Sequence, residues 1–243
     1  MTIRNLDALF KPNAIALICG GDDRELIIAR NLMGGGFQGP IMPVDAKRWA
    51  LEGALTYPDI ASLPLPPALA IIARPPREAP ALIRQLGERG ARAALLVSDF
   101  NAESPAARQP LLAALYDAAR PYGLRLLGPG SHGFNVPRAS LHVSLSPPPR
   151  SAGPIAFLTE SDTIGQIALD IGHHYGFGFS HLIHLGAGLD VDLADLLDYL
   201  AGDAQTQAIL LYVEQIADAR KFMSAARRAA RLKPVVVLKP RRY

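Results

Sequence analysis

Residues 69–99 read LAIIARPPREAPALIRQLGERGARAALLVSD. A run of strand length, apolar on both faces (69–73), is followed by an amphipathic stretch (77–89) and a second apolar run (93–97). That order predicts a β-strand, a crossover helix and a parallel β-strand. Within the helical stretch, Ala79, Leu82, Ile83 and Leu86 recur at the 3.6-residue spacing of one stripe, which is expected to pack on the sheet. Strands apolar on both sides belong to sheets covered on both faces, so this one unit points to a doubly wound α/β fold.

The alternation continues outward in both directions. Apolar runs at 14–19 and 41–44 flank a helix candidate at 25–33, and a second candidate at 106–119 precedes a strand at 125–127. These five strands predict a Rossmann-like domain over residues 1–148. The stretch SLSPPPRSAGP (144–154) concentrates proline, serine and glycine, which break helices and central strands, and places the boundary there. After it, strands at 155–158, 181–185, 208–213 and 235–238 alternate with helices at 163–175, 193–201 and 217–232. This predicts a flavodoxin-like parallel-sheet domain over residues 149–243. Five residues follow the last strand, so that domain is expected to be truncated, lacking one loop at the carboxyl ends of its strands.

The 243 residues are 49% apolar and 19% charged, which suits packed cores and excludes a disordered chain. No apolar run reaches the roughly 18 residues of a membrane span, and the opening MTIRNLDALFKPNAIAL lacks a signal-peptide pattern, so a cytoplasmic protein with no membrane partner is expected. A single cysteine allows no internal disulfide. Basic residues cluster late in the chain (Arg227, Arg228, Arg231, Lys233, Lys239, Arg241, Arg242) without interleaved aromatic residues, and read as a solvated helix face rather than a nucleic-acid surface.

Strand ends carry the candidate binding residues. The first βα junction, Cys19-Gly20-Gly21-Asp22-Asp23-Arg24, offers helix amides to a phosphate, although its two aspartates also serve as helix caps. Cys19 is either an acidified thiol or a small buried residue. Lys47 follows the second strand, Arg74-Pro75-Pro76 the third, Ser98 the fourth, and Gly128-Pro129-Gly130-Ser131 the fifth. Such a set shapes a binding crevice and contains no nucleophile, base or metal cluster. The six histidines show no zinc-ligand spacing and read as core or surface residues, and no metal is expected. In the second half, Ser161 sits at a strand-to-helix junction, as phosphoryl ligand or helix cap, and Glu214 ends a strand. An NAD-type domain is the weaker alternative: GxGxxG is absent, and Asp45 is the one candidate for a ribose-binding acid.

Taken together, KPNAIALI (11–18), NLMGGGFQGPIMPVDAK (31–47), LLGPGSHGFNVP (126–137) and GPIAFLTESDTIGQIALD (153–170) resemble the N-terminal region of NDP-forming acyl-CoA synthetases, the succinyl-CoA ligase α-subunit superfamily. The wording is most similar to Pat-type protein lysine acetyltransferases. The resemblance implies coenzyme A or acetyl-CoA held by Cys19, Gly20, Gly21, Arg24, Lys47, Arg74, Pro75, Pro76, Ser98, Gly128, Pro129, Gly130 and Ser131. It implies Ser161 and Glu214 at a phosphoryl site, and it places the family's phosphohistidine on a loop beyond Lys239. The expected function is therefore a CoA- or acyl-CoA-binding module without synthetase turnover of its own, regulatory or a fragment of a Pat-type acetyltransferase. The alternative is the α-part of an ADP-forming acyl-CoA synthetase acting with an ATP-grasp domain or subunit. A homo-oligomer is a further partner expectation.

Overall fold

A computed structural model describes residues 4–98 and 100–240. In chain order the elements are α1 (Asp7–Phe10), β1 (Ile15–Ile18), α2 (Asp23–Gly34), β2 (Ile41–Val44), β3 (Ala50–Leu51), β4 (Ala54–Leu55) and β5 (Leu69–Ile72). There follow α3 (Ala79–Glu88), β6 (Ala93–Leu96), α4 (Pro105–Ala119), β7 (Arg125–Leu127), β8 (Gly133–Val136) and β9 (Leu141–Ser144). The chain continues through β10 (Ala152–Thr159), α5 (Asp162–Tyr175), β11 (Phe179–His184), α6 (Leu193–Gly202), β12 (Ala208–Tyr212), α7 (Ala219–Leu232) and β13 (Val235–Leu238). All nine long strands predicted from apolar runs form at or within two residues of their predicted ends, except β10, which starts three residues early.

The first sheet has the order β2-β1-β5-β6-β7 and is parallel throughout. Its strands are buried on both faces, as apolar runs without alternation require. Ala16, Ile18, Ala70, Ile72, Ala94 and Leu96 face α3 and α4, where Ile83, Leu86 and Leu115 complete one core. The α3 stripe holds at Ala79, Ile83 and Leu86, while Leu82 is half-buried at its rim. Alternate residues Ile15, Leu17, Leu69, Ile71 and Leu95 face the other way, into a core shared with the second sheet.

The second sheet runs β13-β12-β10-β11-β8-β9, and its last two strands form an antiparallel hairpin. That hairpin was not expected. Residues 133–144, within the range assigned to the first domain, pair with β11 and so tie the two halves together. Its strands escape an apolar-run reading because Asn135 and His142 are buried opposite each other, with His142 Nδ1 and Asn135 Oδ1 3.0 Å apart. From α2, Asn31 Nδ2 donates to the carbonyls of Ser144 and Ser146 at 2.8 and 3.0 Å, clamping the hairpin against the first half.

A buried ionic cluster makes the other joint. Arg125, on β7, reaches Asp190 through Nε at 2.8 Å and Asp195 through Nη2 at 3.2 Å. Lys221, from α7, reaches Asp192 and Asp195 at 2.8 and 2.9 Å. In α7, Phe222, Ala225 and Ala229 are buried while the arginines lie on the outer side, and Arg228 pairs with Asp198 at 3.3 Å. The expected basic helix face is therefore present over α7; Arg241 and Arg242 lie outside the described residues. No described helix is long and apolar enough to cross a membrane.

Candidate functional site

Most of the sequence-predicted residues separate into two clefts at the carboxyl ends of the strands; Cys19, Lys47, Gly128, Ser131 and Ser161 line neither. The first, a cavity of about 330 Å³, is walled by Gly20, Gly21, Asp22 and Arg24 after β1, Arg74, Pro75 and Pro76 after β5, and Ser98 after β6. A Cβ on Gly20 would lie 2.4 Å from the Ala73 carbonyl, so only glycine lets the two loops approach this closely. Arg74 crosses between them, donating from Nη1 to the Cys19 carbonyl at 3.1 Å and pairing with Glu78 at 2.6 Å. Ser98 is 6% exposed, and its Oγ has no hydrogen-bond partner among the described residues. A buried, unpaired hydroxyl on a cavity wall costs about 1–3 kcal/mol unless something in the cavity meets it.

The structure places the other residues around this cleft as follows. Asp22 caps α2, accepting from the Arg24 amide at 2.7 Å. Burial, followed by the charge of Glu25, pushes the Cys19 thiol up to about 12, which favours the plain buried residue over an acidified thiol. Lys47 is exposed and is not part of the wall; its neighbour Arg48 turns inward instead. Arg48 Nε donates to Asp45 Oδ2 at 2.6 Å, and Nη2 donates to Glu25 Oε1. Burial works against the charge on Asp45, but the Lys47 amide and Arg48 hold its carboxyl below the ordinary range.

Glu25 is the residue the sequence reading missed. It is fully buried, and its Oε2 accepts from the backbone N–H groups of Gly20 and Gly21, the latter at 2.9 Å. The amides expected to greet a phosphate are thus engaged by the protein's own carboxylate. A signal was present, since Asp22 and Glu25 stand three residues apart at a helix start, the spacing at which a first-turn glutamate folds back. Cys19 Sγ and the carboxylates of Glu25 and Asp45 lie within 4.8 Å of one another, a metal-like grouping. The Arg48 guanidinium already occupies the cation position between the two acids.

The second cleft, about 430 Å³, opens between the two halves. Pro129 and Gly130 line it rather than the first cleft, together with His132, Glu160, Asp162, His184 and Glu214. Gly128 and Ser131 are buried behind this wall, where the Ser131 hydroxyl donates to the His184 carbonyl and accepts from the Gly133 amide at 3.0 Å. Ser161 caps α5, its Oγ accepting from the Ile164 amide at 3.4 Å. Glu214 is exposed at the rim, and Glu160 Oε2 accepts from the amides of Glu214 and Gln215 at 2.5 and 3.1 Å.

His132 and His184, read from sequence as core or surface residues, meet here. The His132 amide donates to His184 Nδ1 at 3.0 Å, and His132 Nε2 lies 3.9 Å from Asp162 Oδ2. The Thr163 amide holds the Asp162 carboxyl low. Burial, then the neighbouring His132, pushes His184 down to about 4. Its unfolded pKa is near 6.5, so as pH falls through 6.5 the unfolded chain binds a proton that the folded chain refuses until about 4. Stability is therefore lost within that window, by about 3 kcal/mol over 2.5 pH units. Urea unfolding at pH 7 and 4.5 should show this loss on top of those from His181, which burial also pushes down to about 4, and His142, which burial lowers. His184→Gln should therefore remove its own share, and an unchanged loss in the variant would contradict the assignment.

Residues 25–137 match the model of a CoA binding domain, and residues 152–243 match the model of a succinyl-CoA ligase like flavodoxin domain. The chain is 29% identical to the acetate–CoA ligase (ADP-forming) I subunit alpha of Pyrococcus furiosus, over 97% of this chain and 52% of that protein. It is 32% identical to acetate–CoA ligase (ADP-forming) I of Archaeoglobus fulgidus, over 96% of this chain and 34% of that protein. Among solved structures, the dinucleotide-forming acetyl-coenzyme A synthetase 1 of Ca. Korarchaeum cryptofilum, in its apo form, superposes with a TM-score of 0.89 at 29% identity. That superposition covers 96% of this chain and 52% of the other. The chain thus spans about half the length, or less, of these relatives. It carries a CoA-binding-type domain and a succinyl-CoA ligase-like domain in an α/β arrangement they share.

Proposed function

We propose that this chain is the CoA-binding α-part of an ADP-forming acyl-CoA synthetase, working with an ATP-grasp domain or subunit. The matched domains and the ligase relatives support CoA or an acyl-CoA as the ligand class, and they favour this reading over a free-standing binding module. The observation that carries it in the structure is the unpaired Ser98 hydroxyl, buried in the wall of a cleft made by the three strand ends β1, β5 and β6. A ligand in that cleft would meet Ser98 Oγ, the close-packed backbone at Gly20, and the guanidinium of Arg74. The division into a CoA-binding domain (1–148) and a ligase-like domain (149–243) belongs to the same proposal, with the β8–β9 hairpin joining the second sheet.

The second cleft would serve the phosphoryl step. Glu160 steadies the Glu214 backbone, and Glu214 would orient a phosphorylated histidine brought to the cleft. A second reading, a CoA-binding module without turnover such as accompanies an acetyltransferase domain, has one point in its favour. Asp162 and Glu160 make this cleft acidic, which opposes a phosphate.

Calorimetry with CoA, acetyl-CoA and NAD tests the ligand class, and CoA is expected to bind more tightly than NAD. Ser98→Val should weaken CoA about tenfold, the loss of one hydrogen bond to a polar ligand group. Tighter binding of NAD, or an unchanged CoA affinity in the variant, would overturn the assignment of this cleft. Incubation with ATP and an ATP-grasp partner separates the two readings: labelling of a histidine supports the synthetase, and its absence across partners supports the module.

A further inference from the structure

The loop after β1 ends on a set of anion-binding donors that the protein fills itself. Gly20 and Gly21 both direct their N–H groups to Oε2 of Glu25, and Arg48 donates from Nη2 to Oε1 of the same carboxylate. Asp45 anchors Arg48 from the far side through Nε. Two convergent backbone amides and a guanidinium are the donors that recognise a phosphate or diphosphate. Gly20 and Gly21 also line the first cleft, so the buried donor set lies directly behind its wall. An anion arriving there meets a fully buried carboxylate already in place, and two like charges do not share one set of donors.

We propose that Glu25 is an internal competitor for the ligand's phosphate: its carboxylate closes the donor set of the first loop, and a phosphate or diphosphate enters as that carboxylate leaves. The identity of the ligand as CoA rests on the function proposed above, whereas the competition itself does not. Removing the Glu25 side chain beyond Cβ frees three donors together, while the Asp45 contact keeps Arg48 beside the loop. Glutamine retains an acceptor for the amides but not the charge, and opens the site less.

The test compares the full chain with its Glu25→Ala and Glu25→Gln variants by calorimetry, with inorganic pyrophosphate and, separately, CoA as probes. Pyrophosphate is expected to bind Glu25→Ala at least tenfold, and Glu25→Gln at least threefold, more tightly than the parent. Should the alanine variant fail to fold, the glutamine variant decides alone. Equal pyrophosphate affinity in the parent and in every variant that folds would overturn the proposal. A parent that binds CoA while the variants gain nothing for pyrophosphate sinks the competition and leaves the function standing. Gained pyrophosphate binding with no CoA binding in any form does the reverse.

Discussion

Alanine at position 133 is expected to destabilise the protein by about 3 kcal/mol or more, lowering its melting temperature by about 10 °C. Gly133 has φ of 91°, a conformation side chains avoid, and an added Cβ would fall 1.9 Å from the Val143 carbonyl. Nothing in that contact is a flexible side-chain end, so the backbone of the β8–β9 hairpin must move. The damage would reach the second cleft, because the Gly133 amide is held by Ser131 Oγ, which also holds the His184 carbonyl. Gly176→Ala is the control: its φ is 70° but the space around it is open, so only the conformational cost of about 1 kcal/mol applies. Urea titrations of both variants check the difference. A Gly133→Ala protein within 1 kcal/mol of the parent would show the hairpin free to shift.

Arg125→Leu is expected to cost about 3–5 kcal/mol, the range for removing one partner from a buried ionic cluster. Arg125 is 8% exposed and is the cation that spans from the first sheet to Asp190 and Asp195. Asp195 would keep Lys221, but Asp190 would lose its cation and keep the Leu126 amide. Asp190→Asn in the leucine background should therefore recover part of the loss. By contrast Arg77, whose pair with Glu103 is in open solvent on the arginine side, should be replaceable by alanine without a measurable change. Chemical denaturation of the four proteins is the measurement. Equal effects at Arg77 and Arg125 would mean that burial does not govern these pairs.

The candidate site was legible in outline because strand ends are where a doubly wound sheet gathers its ligands, and strand ends can be counted along a chain. Ser98, Arg74 and Gly20 were found in this way, and they do share one wall. Lys47 and Arg48 show the limit. They are adjacent, both basic and both placed just after β2, and only the turn held by Asp45 decides that Arg48 goes in while Lys47 stays out. Glu25 is a similar case, since its letter suits a solvated first-turn acid as well as a buried one. His132 and His184 stand 52 residues apart, and nothing local links them until β8 pairs with β11.

What the chain dictates alone is the alternation of doubly buried strands and one-sided helices, because burial of a local segment is written in the period of its own apolar residues. Which polar groups face one another is a different kind of information. The direction of Glu25, the inward turn of Arg48, the pairing of the β8–β9 hairpin with β11 and the split into two clefts all depend on contacts between distant segments. Those contacts exist only once the sheets have closed on their common core, and their geometry decides whether an amide at a strand end greets a ligand or the protein's own carboxylate.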